Sequence, residues 1–311
     1  MANLLDTIIQ SQGLVILDGA LATELEARGA NLNHSLWSAK LLVENPALIQ
    51  EVHLDYLNAG ANVISTASYQ ASFVGFEKNG YSKQEAIRLM QLSIDIAIQA
   101  RDFFLKNSIK QPAVKPLIAA SIGPYGAAMA DGSEYTGYVD VSVNALIDFH
   151  KERLQVLMNT DADIFAFETI PSIEEAVAII DLLKEYPTKQ AWLSFSCKDG
   201  VHLSSGALFE DAVKLINESN EIIGVGVNCT APKYISSLIT IAKSLTNKII
   251  LVYPNKGEHY NPITKTWEEE GLAASGFIDN AKVWFASGSC AIGGCCRTTP
   301  SDIKQLNELI K

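Results

Sequence analysis

The sequence of 311 residues has few cysteines and no long apolar run, and both shortages limit what the protein can be. Five cysteines, an odd number spread thinly along the chain, do not form a disulfide framework and are typical of a reducing compartment. No run approaches the roughly 18 apolar residues of a membrane-spanning helix. The first residues lack the basic stretch and the cleavage site of a secretory signal. We therefore expect a cytoplasmic protein that does not contact a membrane.

Positive charge is also scarce. The chain has 24 Lys and Arg against 35 Asp and Glu, a formal net charge of −11. Because phosphate contacts need clustered basic residues, this balance argues against nucleic acid as a partner. Hydrophobic residues make up 48% and charged residues 19%, which predicts a large core rather than disorder. Small-molecule substrates are the expected partners.

Several common site motifs are missing. No Gly-x-Gly-x-x-Gly follows a predicted strand, which excludes the usual doubly wound nucleotide or S-adenosylmethionine site. There is no phosphate-binding P-loop, and the five histidines show no His-x-x-x-His spacing. The chemistry must therefore be sought in other residues.

Eight short apolar runs, rich in β-branched residues, alternate with amphipathic stretches. The runs span 14–18, 62–66, 116–121, 163–168, 191–196, 222–228, 248–253 and 289–293. Most are continuously apolar, as strands buried on both faces should be. Predicted helices cover 45–59, 82–106, 141–159, 173–185, 208–217, 235–244, 276–286 and 301–310. Eight repeats of strand and helix predict a closed (β/α)8 TIM barrel, with the whole chain, 1–311, as one α/β domain.

The longest connections follow the first, third and seventh predicted strands, at 19–44, 122–140 and 254–274. Each begins at the C-terminal end of a strand. That end is the face of such a barrel on which active sites are built.

Three cysteines fall at strand ends on this face. Cys229 ends the sixth run, and Cys295 and Cys296 follow the eighth. Strands six and eight of a closed barrel lie two places apart, so the three sulfurs can meet. Glycines 293 and 294 and the segment 297–300 supply the bend that two adjacent ligands need. Three sulfurs leave one tetrahedral position of Zn²⁺ open, as in catalytic zinc sites.

Other interpretations of the cysteines stay open. Cys229 can be a core residue, and the adjacent pair can be incidental or redox-active. Cys197 and Cys290 are predicted to pack as small apolar residues. If either were a fourth ligand, the zinc site would be closed and structural.

Polar residues at other strand ends complete the predicted site. Asp18 and Gly19 end the first strand and Glu168 ends the fourth, where carboxylates are placed to bind a substrate ammonium group. The alternatives are a helix cap for Asp18, over residues 20–28, and an ion pair for Glu168. Thr66 and Tyr125, in the segments 66–70 and 123–126, bring hydroxyl and aromatic groups to the same mouth.

At these residues the sequence resembles the homocysteine S-methyltransferases, specifically the single-domain bacterial and plant type that uses S-methylmethionine. The resemblance covers nearly the whole chain. Its most specific segments are LDGALATELE at 17–26, GVNC at 226–229 and GGCCRTTP at 293–300. Shorter matches occur at 66–70, 121–126, 168–169 and 253–255.

The resemblance implies that Cys229, Cys295 and Cys296 hold zinc and are catalytic through it. It also implies that the amino-acid end of homocysteine is bound around Asp18, Gly19 and Glu168. No folate or cobalamin domain is present, so a small donor would give its methyl group directly.

Further site residues follow from the same resemblance. Trp37 matches a tryptophan that contacts the cationic methyl donor in the related betaine-using enzymes, and Asn228 belongs to the Asn-Cys motif. Those relatives have a tyrosine directly after the glutamate, whereas this chain has Thr169. A tyrosine at that position therefore cannot fill the fourth zinc site here.

The expected reaction is transfer of a methyl group from S-methylmethionine or S-adenosylmethionine to the homocysteine thiol, forming methionine. Zinc would remove the thiol proton, and the sulfur would attack the methyl group of the sulfonium. Two other functions compete with this one: hydrolysis by zinc-activated water, and redox or zinc sensing through a Cys295–Cys296 disulfide. The sequence decides neither the donor nor the oligomeric state.

Overall fold

The computed structural model describes residues 3–256, 259–261, 266–268 and 276–309. Ten strands occur in the described residues. They are β1 (Val15–Ile16), β2 (Val63–Ser65), β3 (Leu117–Ile122), β4 (Ile164–Ile170), β5 (Ala191–Phe195), β6 (Ile222–Asn228), β7 (Ile249–Tyr253), β8 (His259–Asn261), β9 (Thr266–Glu268) and β10 (Ala291–Ile292).

Eight of these strands form one parallel sheet that closes on itself. The order is β1-β10-β7-β6-β5-β4-β3-β2, and a parallel bridge between Leu17 and Val63 joins the two ends. The predicted (β/α)8 barrel is confirmed. Strands β8 and β9 form a separate antiparallel hairpin within the predicted connection 254–274, much of which lies outside the described residues.

Thirteen α-helices lie in the described ranges, most of them around the barrel. They are α1 (Leu4–Gln12), α2 (Leu21–Ala27), α3 (Leu41–Glu44), α4 (Pro46–Ala59), α5 (Phe73–Lys78), α6 (Lys83–Asn107), α7 (Tyr125–Met129), α8 (Val143–Leu157), α9 (Ile173–Leu183), α10 (Phe209–Asn217), α11 (Pro232–Leu245), α12 (Phe277–Ser287) and α13 (Pro300–Leu309). Within the parts of the chain just given, no helix has the length and apolar character needed to cross a bilayer.

Local sequence signals set the helix ends. The Asn45 side chain accepts a hydrogen bond from the backbone N–H of Leu48, and Pro46 fills the first turn of α4. That helix ends at Gly60, which has φ +103° and so adopts the left-handed conformation that favours glycine. Ser82 and Glu85 form a reciprocal capping box at the start of α6.

The core explains why one end of the barrel is open. An inner cluster that includes Val15, Ala166 and Trp192 fills the barrel, and Leu5 and Ile8 of α1 pack into the same cluster. Helix α1 therefore covers the N-terminal end of the strands. The C-terminal ends remain accessible, and the predicted site residues lie there.

Candidate metal centre and active site

The three predicted cysteines meet at the C-terminal mouth of the barrel. The sulfurs of Cys229, Cys295 and Cys296 all lie within 4.8 Å of one another. Those of Cys295 and Cys296 are 3.9 Å apart. Zinc–sulfur bonds of about 2.3 Å in a tetrahedron put neighbouring sulfurs about 3.8 Å apart. The donor set and its spacing therefore fit a thiolate-bound metal ion.

The sulfurs of Cys229 and Cys295 are in bonding contact in this structure, with Cα atoms 5.6 Å apart, and Cys296 is not part of that bond. The joined pair is thus not the adjacent one that the sensor hypothesis requires. Metal binding needs all three residues as reduced thiolates. Cys197 and Cys290 lie outside the group, which leaves it with three protein sulfurs.

Unusual backbone geometry brings consecutive residues into the mouth. Asn228 and Cys229 both line the cavity, although neighbours on a strand point to opposite faces. Cys229, directly after β6, has φ +47°, a left-handed conformation that turns its side chain back towards Asn228.

The bend before the cysteine pair uses glycine for space. Added Cβ atoms would lie 2.6 Å from the carbonyl oxygen of Asp18 at Gly293 and 2.1 Å from Oγ1 of Thr298 at Gly294. Neither glycine has a positive φ. In this bend the residue with a positive φ is Arg297, at +67°. The glycines are thus needed for close packing against the first strand and the following turn.

A bulge in β4 places Glu168 and Thr169 side by side. The register of β4 with β5 shifts between Phe167 and Ile170, and Thr169 has φ +61°. Bulges of this kind redirect side chains and are common beside active sites. Both residues line the cavity as a result.

The two predicted carboxylates are buried and hydrogen-bonded. Asp18 accepts from the backbone N–H of Ser65 at 2.7 Å and from its hydroxyl at 3.2 Å. Glu168 accepts from the hydroxyls of Ser121 and Tyr253. Asp18 does not cap α2, because the N-cap of that helix is Ala20. Among the described residues, no Lys or Arg forms an ion pair with Glu168.

Burial makes both carboxylates weak acids. Desolvation raises the pKa of Asp18 to about 8, and the Glu168 carboxylate adds to this rise against the hydrogen bonds from Ser65. Desolvation likewise raises the pKa of Glu168 to about 7, while Ser121 and Tyr253 act in the opposite direction. A bound cation would favour the ionised form of each group.

The cavity around these groups has a volume of about 750 Å³, including the part open to solvent. The described residues that line it include Asp18, Glu168 and the three cysteines, and none of them is a Lys or Arg. Because the carboxylates and cysteines in this lining become negative when they ionise, the cavity favours cations.

All but one of the remaining predicted site residues line the cavity. Gly19, Trp37, Thr66 and Asn228 line the cavity. A Cβ at Gly19 would lie 2.6 Å from the carbonyl oxygen of Thr298, so only glycine fits there. Tyr125 does not line the cavity.

The ring of Tyr125 packs instead against Tyr138 and Phe149, at centroid distances of 5.5 and 5.2 Å. Its backbone N–H donates to Glu175, which also accepts from the Tyr138 hydroxyl. These contacts hold the connection after β3. Tyr135, from the same connection, lines the cavity.

Several lining residues had no predicted role. Ser65 and Tyr253 end β2 and β7, Ser121 is the last polar residue of β3, and each contacts a buried carboxylate. Their position at the end of a predicted strand, or one residue before it for Ser65, was the signal available in the sequence. The Tyr253 hydroxyl also accepts from the Trp192 indole N–H at 2.9 Å, which fixes its orientation.

Together, fold and site define a class: a (β/α)8-barrel enzyme with a three-cysteine centre, able to hold a metal ion, and two buried carboxylates at its C-terminal mouth. Sequence and structure comparisons agree with this description. The profile of the homocysteine S-methyltransferase family matches residues 15–310. The chain belongs to this family.

Individual relatives match over almost their full length. The chain is 50% identical over 307 residues to homocysteine S-methyltransferase YbgG of Bacillus subtilis (strain 168), covering 98% of this chain and 96% of the relative. Its structure is similar to that of the homocysteine methyltransferase MmuM from Escherichia coli in a metallated form, with a TM-score of 0.88, 42% identity and coverage of 99% and 100%. An oxidized form of the same relative gives a TM-score of 0.89, also with 42% identity and coverage of 99% and 100%.

Proposed function

We propose that this enzyme transfers a methyl group from a sulfonium donor, S-methylmethionine or S-adenosylmethionine, to the thiol of L-homocysteine, with Zn²⁺ held by Cys229, Cys295 and Cys296. The observation that carries this proposal is the meeting of three sulfurs within 4.8 Å in a cavity lined by two buried carboxylates. We further propose that residues 1–311 act as one domain, in the cytoplasm, on methionine formation.

Zinc, when bound, supplies the positive charge that removes the thiol proton of the incoming homocysteine. Because three protein thiolates would outweigh the two positive charges of the ion, a substrate sulfur bound with them would stay nucleophilic. Hydrolysis is disfavoured for the same reason, because activating water requires a more positive metal.

Asp18 and Glu168 are assigned to the ammonium group of homocysteine. Each is less than a tenth exposed, and each is positioned by hydrogen bonds from neighbouring strand ends. An ammonium group compensates the cost of burying these charges, and they in turn fix the amino-acid end of the substrate. The substrate sulfur is thereby oriented towards the cysteines, with Asn228 beside them.

Trp37 and Tyr69 are assigned to the sulfonium. Their rings form an edge-to-face pair with centroids 6.0 Å apart at the cavity wall. Aromatic faces attract cations, by about 1–2 kcal/mol each in a desolvated site. The sulfonium becomes a neutral thioether as its methyl leaves, so charge is neutralised in the transition state, which a water-poor cavity favours. Thr66 also lines the cavity, and its hydroxyl accepts from the backbone N–H of Ser121 at 3.1 Å.

Side-by-side kinetics test the reaction and its donor. Reduced, zinc-loaded enzyme is supplied with L-homocysteine and either S-methylmethionine or S-adenosylmethionine, and methionine is measured. We expect homocysteine-dependent methionine formation from at least one of the two sulfonium donors. Zinc-loaded enzyme that forms no methionine with either donor would overturn the proposal.

The raised carboxylate pKa values predict pH-dependent binding of the ammonium group. L-Methionine carries this group without a thiol, so its dissociation constant isolates the carboxylates. In reduced, metal-free enzyme, raising the pH from 6 to 8 takes Glu168 from about a tenth ionised to mostly ionised and Asp18 to about half ionised. Calorimetry should show binding about tenfold tighter at pH 8, since one pKa unit is worth about 1.4 kcal/mol. Asp18→Asn should reduce this dependence, and equal affinity at both pH values would contradict the assignment.

Trp37→Leu is expected to weaken binding of the sulfonium donor and not binding of homocysteine. Losing one cation–π contact of about 1–2 kcal/mol should raise the donor KM roughly five- to thirtyfold. The homocysteine KM and the zinc content should change less than twofold, because Trp37 is neither a metal ligand nor a partner of the carboxylates. An equal rise in both KM values would show a general loss of cavity structure instead.

A further inference from the structure

Thr169 has the least expected backbone conformation in the cavity. It is β-branched, and β-branched residues rarely adopt a positive φ, yet its φ is +61°. Such a strained conformation persists only where surrounding contacts enforce it. Thr169 is fully buried, so the contacts that enforce it are within the protein.

Asn228 holds Thr169 by two hydrogen bonds. The backbone N–H of Thr169 donates to Oδ1 of Asn228 at 2.8 Å. In return, Nδ2 of Asn228 donates to the hydroxyl oxygen of Thr169, also at 2.8 Å. The amide of Asn228 therefore fixes both the backbone and the side chain of the strained residue.

The direction of the Thr169 hydroxyl proton follows from this arrangement. A hydroxyl has one proton to donate, and its oxygen already accepts from Asn228. The Tyr69 hydroxyl is hydrogen-bonded to the same oxygen and, as a neutral phenol, can donate its own proton there. Sγ of Cys229 lies 3.8 Å from the Thr169 oxygen and is placed to accept the Thr169 proton.

We propose that Thr169 is a positioning residue whose hydroxyl donates to the Cys229 thiolate and makes that sulfur a poorer nucleophile than the homocysteine sulfur. Every protein thiolate in this cavity lies near an electrophilic methyl donor, so unwanted methylation of a cysteine is a chemical hazard. A hydrogen bond withdraws electron density from a thiolate, and groups beyond the direct ligands tune metal sites in this way. The selectivity between the two sulfurs rests on the proposed methyl transfer, whereas the hydrogen bond from Thr169 to Cys229 does not depend on it.

Two variants that differ by one oxygen atom test the hydrogen bond. Thr169→Ser and Thr169→Ala both lose the γ-methyl group, and only the serine keeps the hydroxyl. Zinc-loaded protein without substrate is treated with iodoacetamide, in which the thiolate forms a carbon–sulfur bond and iodide leaves. Peptide mass mapping then gives a separate rate for each cysteine.

We expect Cys229 to be alkylated about fivefold faster in Thr169→Ala than in Thr169→Ser, the size of one lost hydrogen bond. Cys295 and Cys296, in the same molecules, should change less than twofold. Thr169→Val, which keeps the volume, should behave like the alanine variant. Equal rates in the serine and alanine variants, or an equal rise at all three cysteines, would overturn the proposal.

Two further readouts separate this inference from the proposed function. With Co²⁺ in place of zinc, the sulfur-to-cobalt absorption band should move to lower energy in Thr169→Ala and not in Thr169→Ser. With the sulfonium donor and no homocysteine, Thr169→Ala should accumulate a methyl group on Cys229, the donor leaving as a neutral thioether. A wild-type enzyme without methyl transfer would defeat the proposed function, while the alkylation ratio would still decide the hydrogen bond.

Discussion

Cys296→Ser is expected to lose both the metal and the activity. A serine hydroxyl does not ionise at neutral pH as a zinc-bound cysteine does, so two thiolates would remain. We expect zinc to fall from about one to below about a tenth per chain, with no detectable methionine formation. Atomic absorption and the homocysteine assay measure the two effects.

Cys290→Ser is the matched control for this experiment. Cys290 lies before β10, outside the three-sulfur group, and its thiol contacts the carbonyl oxygen of Gly288 at 3.7 Å, a contact that serine can keep. This variant should retain zinc and activity. A Cys296→Ser enzyme that keeps a full equivalent of zinc would show that Cys296 is not a ligand.

Glu168→Gln is expected to reduce kcat/KM for homocysteine about a hundredfold, because removing one partner of a buried charge pair costs about 2–5 kcal/mol. The glutamine keeps the size of the side chain and can still accept from Ser121, so the loss isolates the charge. Zinc content should not change, since Glu168 is outside the three-sulfur group.

The control for this second variant is Glu174→Gln, which removes the same charge from an exposed position on α9. It should change kcat/KM less than twofold. A Glu168→Gln enzyme within about fivefold of wild type would contradict the assignment of this carboxylate to the ammonium group.

Most of the barrel could be predicted because its strands are buried on both faces. Continuous apolar runs such as 222–228 coincide with observed strands, here β6. The first strand is shorter than predicted, Val15–Ile16 within 14–18, and Asp18 lies beyond it, where it accepts a hydrogen bond from Ser65. Glycines and capping residues marked helix ends correctly, as at Asn45 and Gly60.

Details of the site depended on contacts between distant segments. The β4 bulge that turns Thr169 into the cavity is held by Asn228, 59 residues away, and a β-branched residue gives no local sign of a positive φ. Which of Tyr125 and Tyr135 lines the cavity could not be predicted from the sequence either. Both lie in one connection; the backbone N–H of Tyr125 donates to the buried Glu175, a residue distant in sequence, and only Tyr135 lines the cavity.

X-ray absorption at the zinc edge tests the central claim most directly. Reduced, zinc-loaded enzyme should show three sulfur neighbours at about 2.3 Å, and addition of L-homocysteine should raise the number to four. A sulfur count that stays at three when homocysteine is bound would contradict the account, as would four protein sulfurs before it is added.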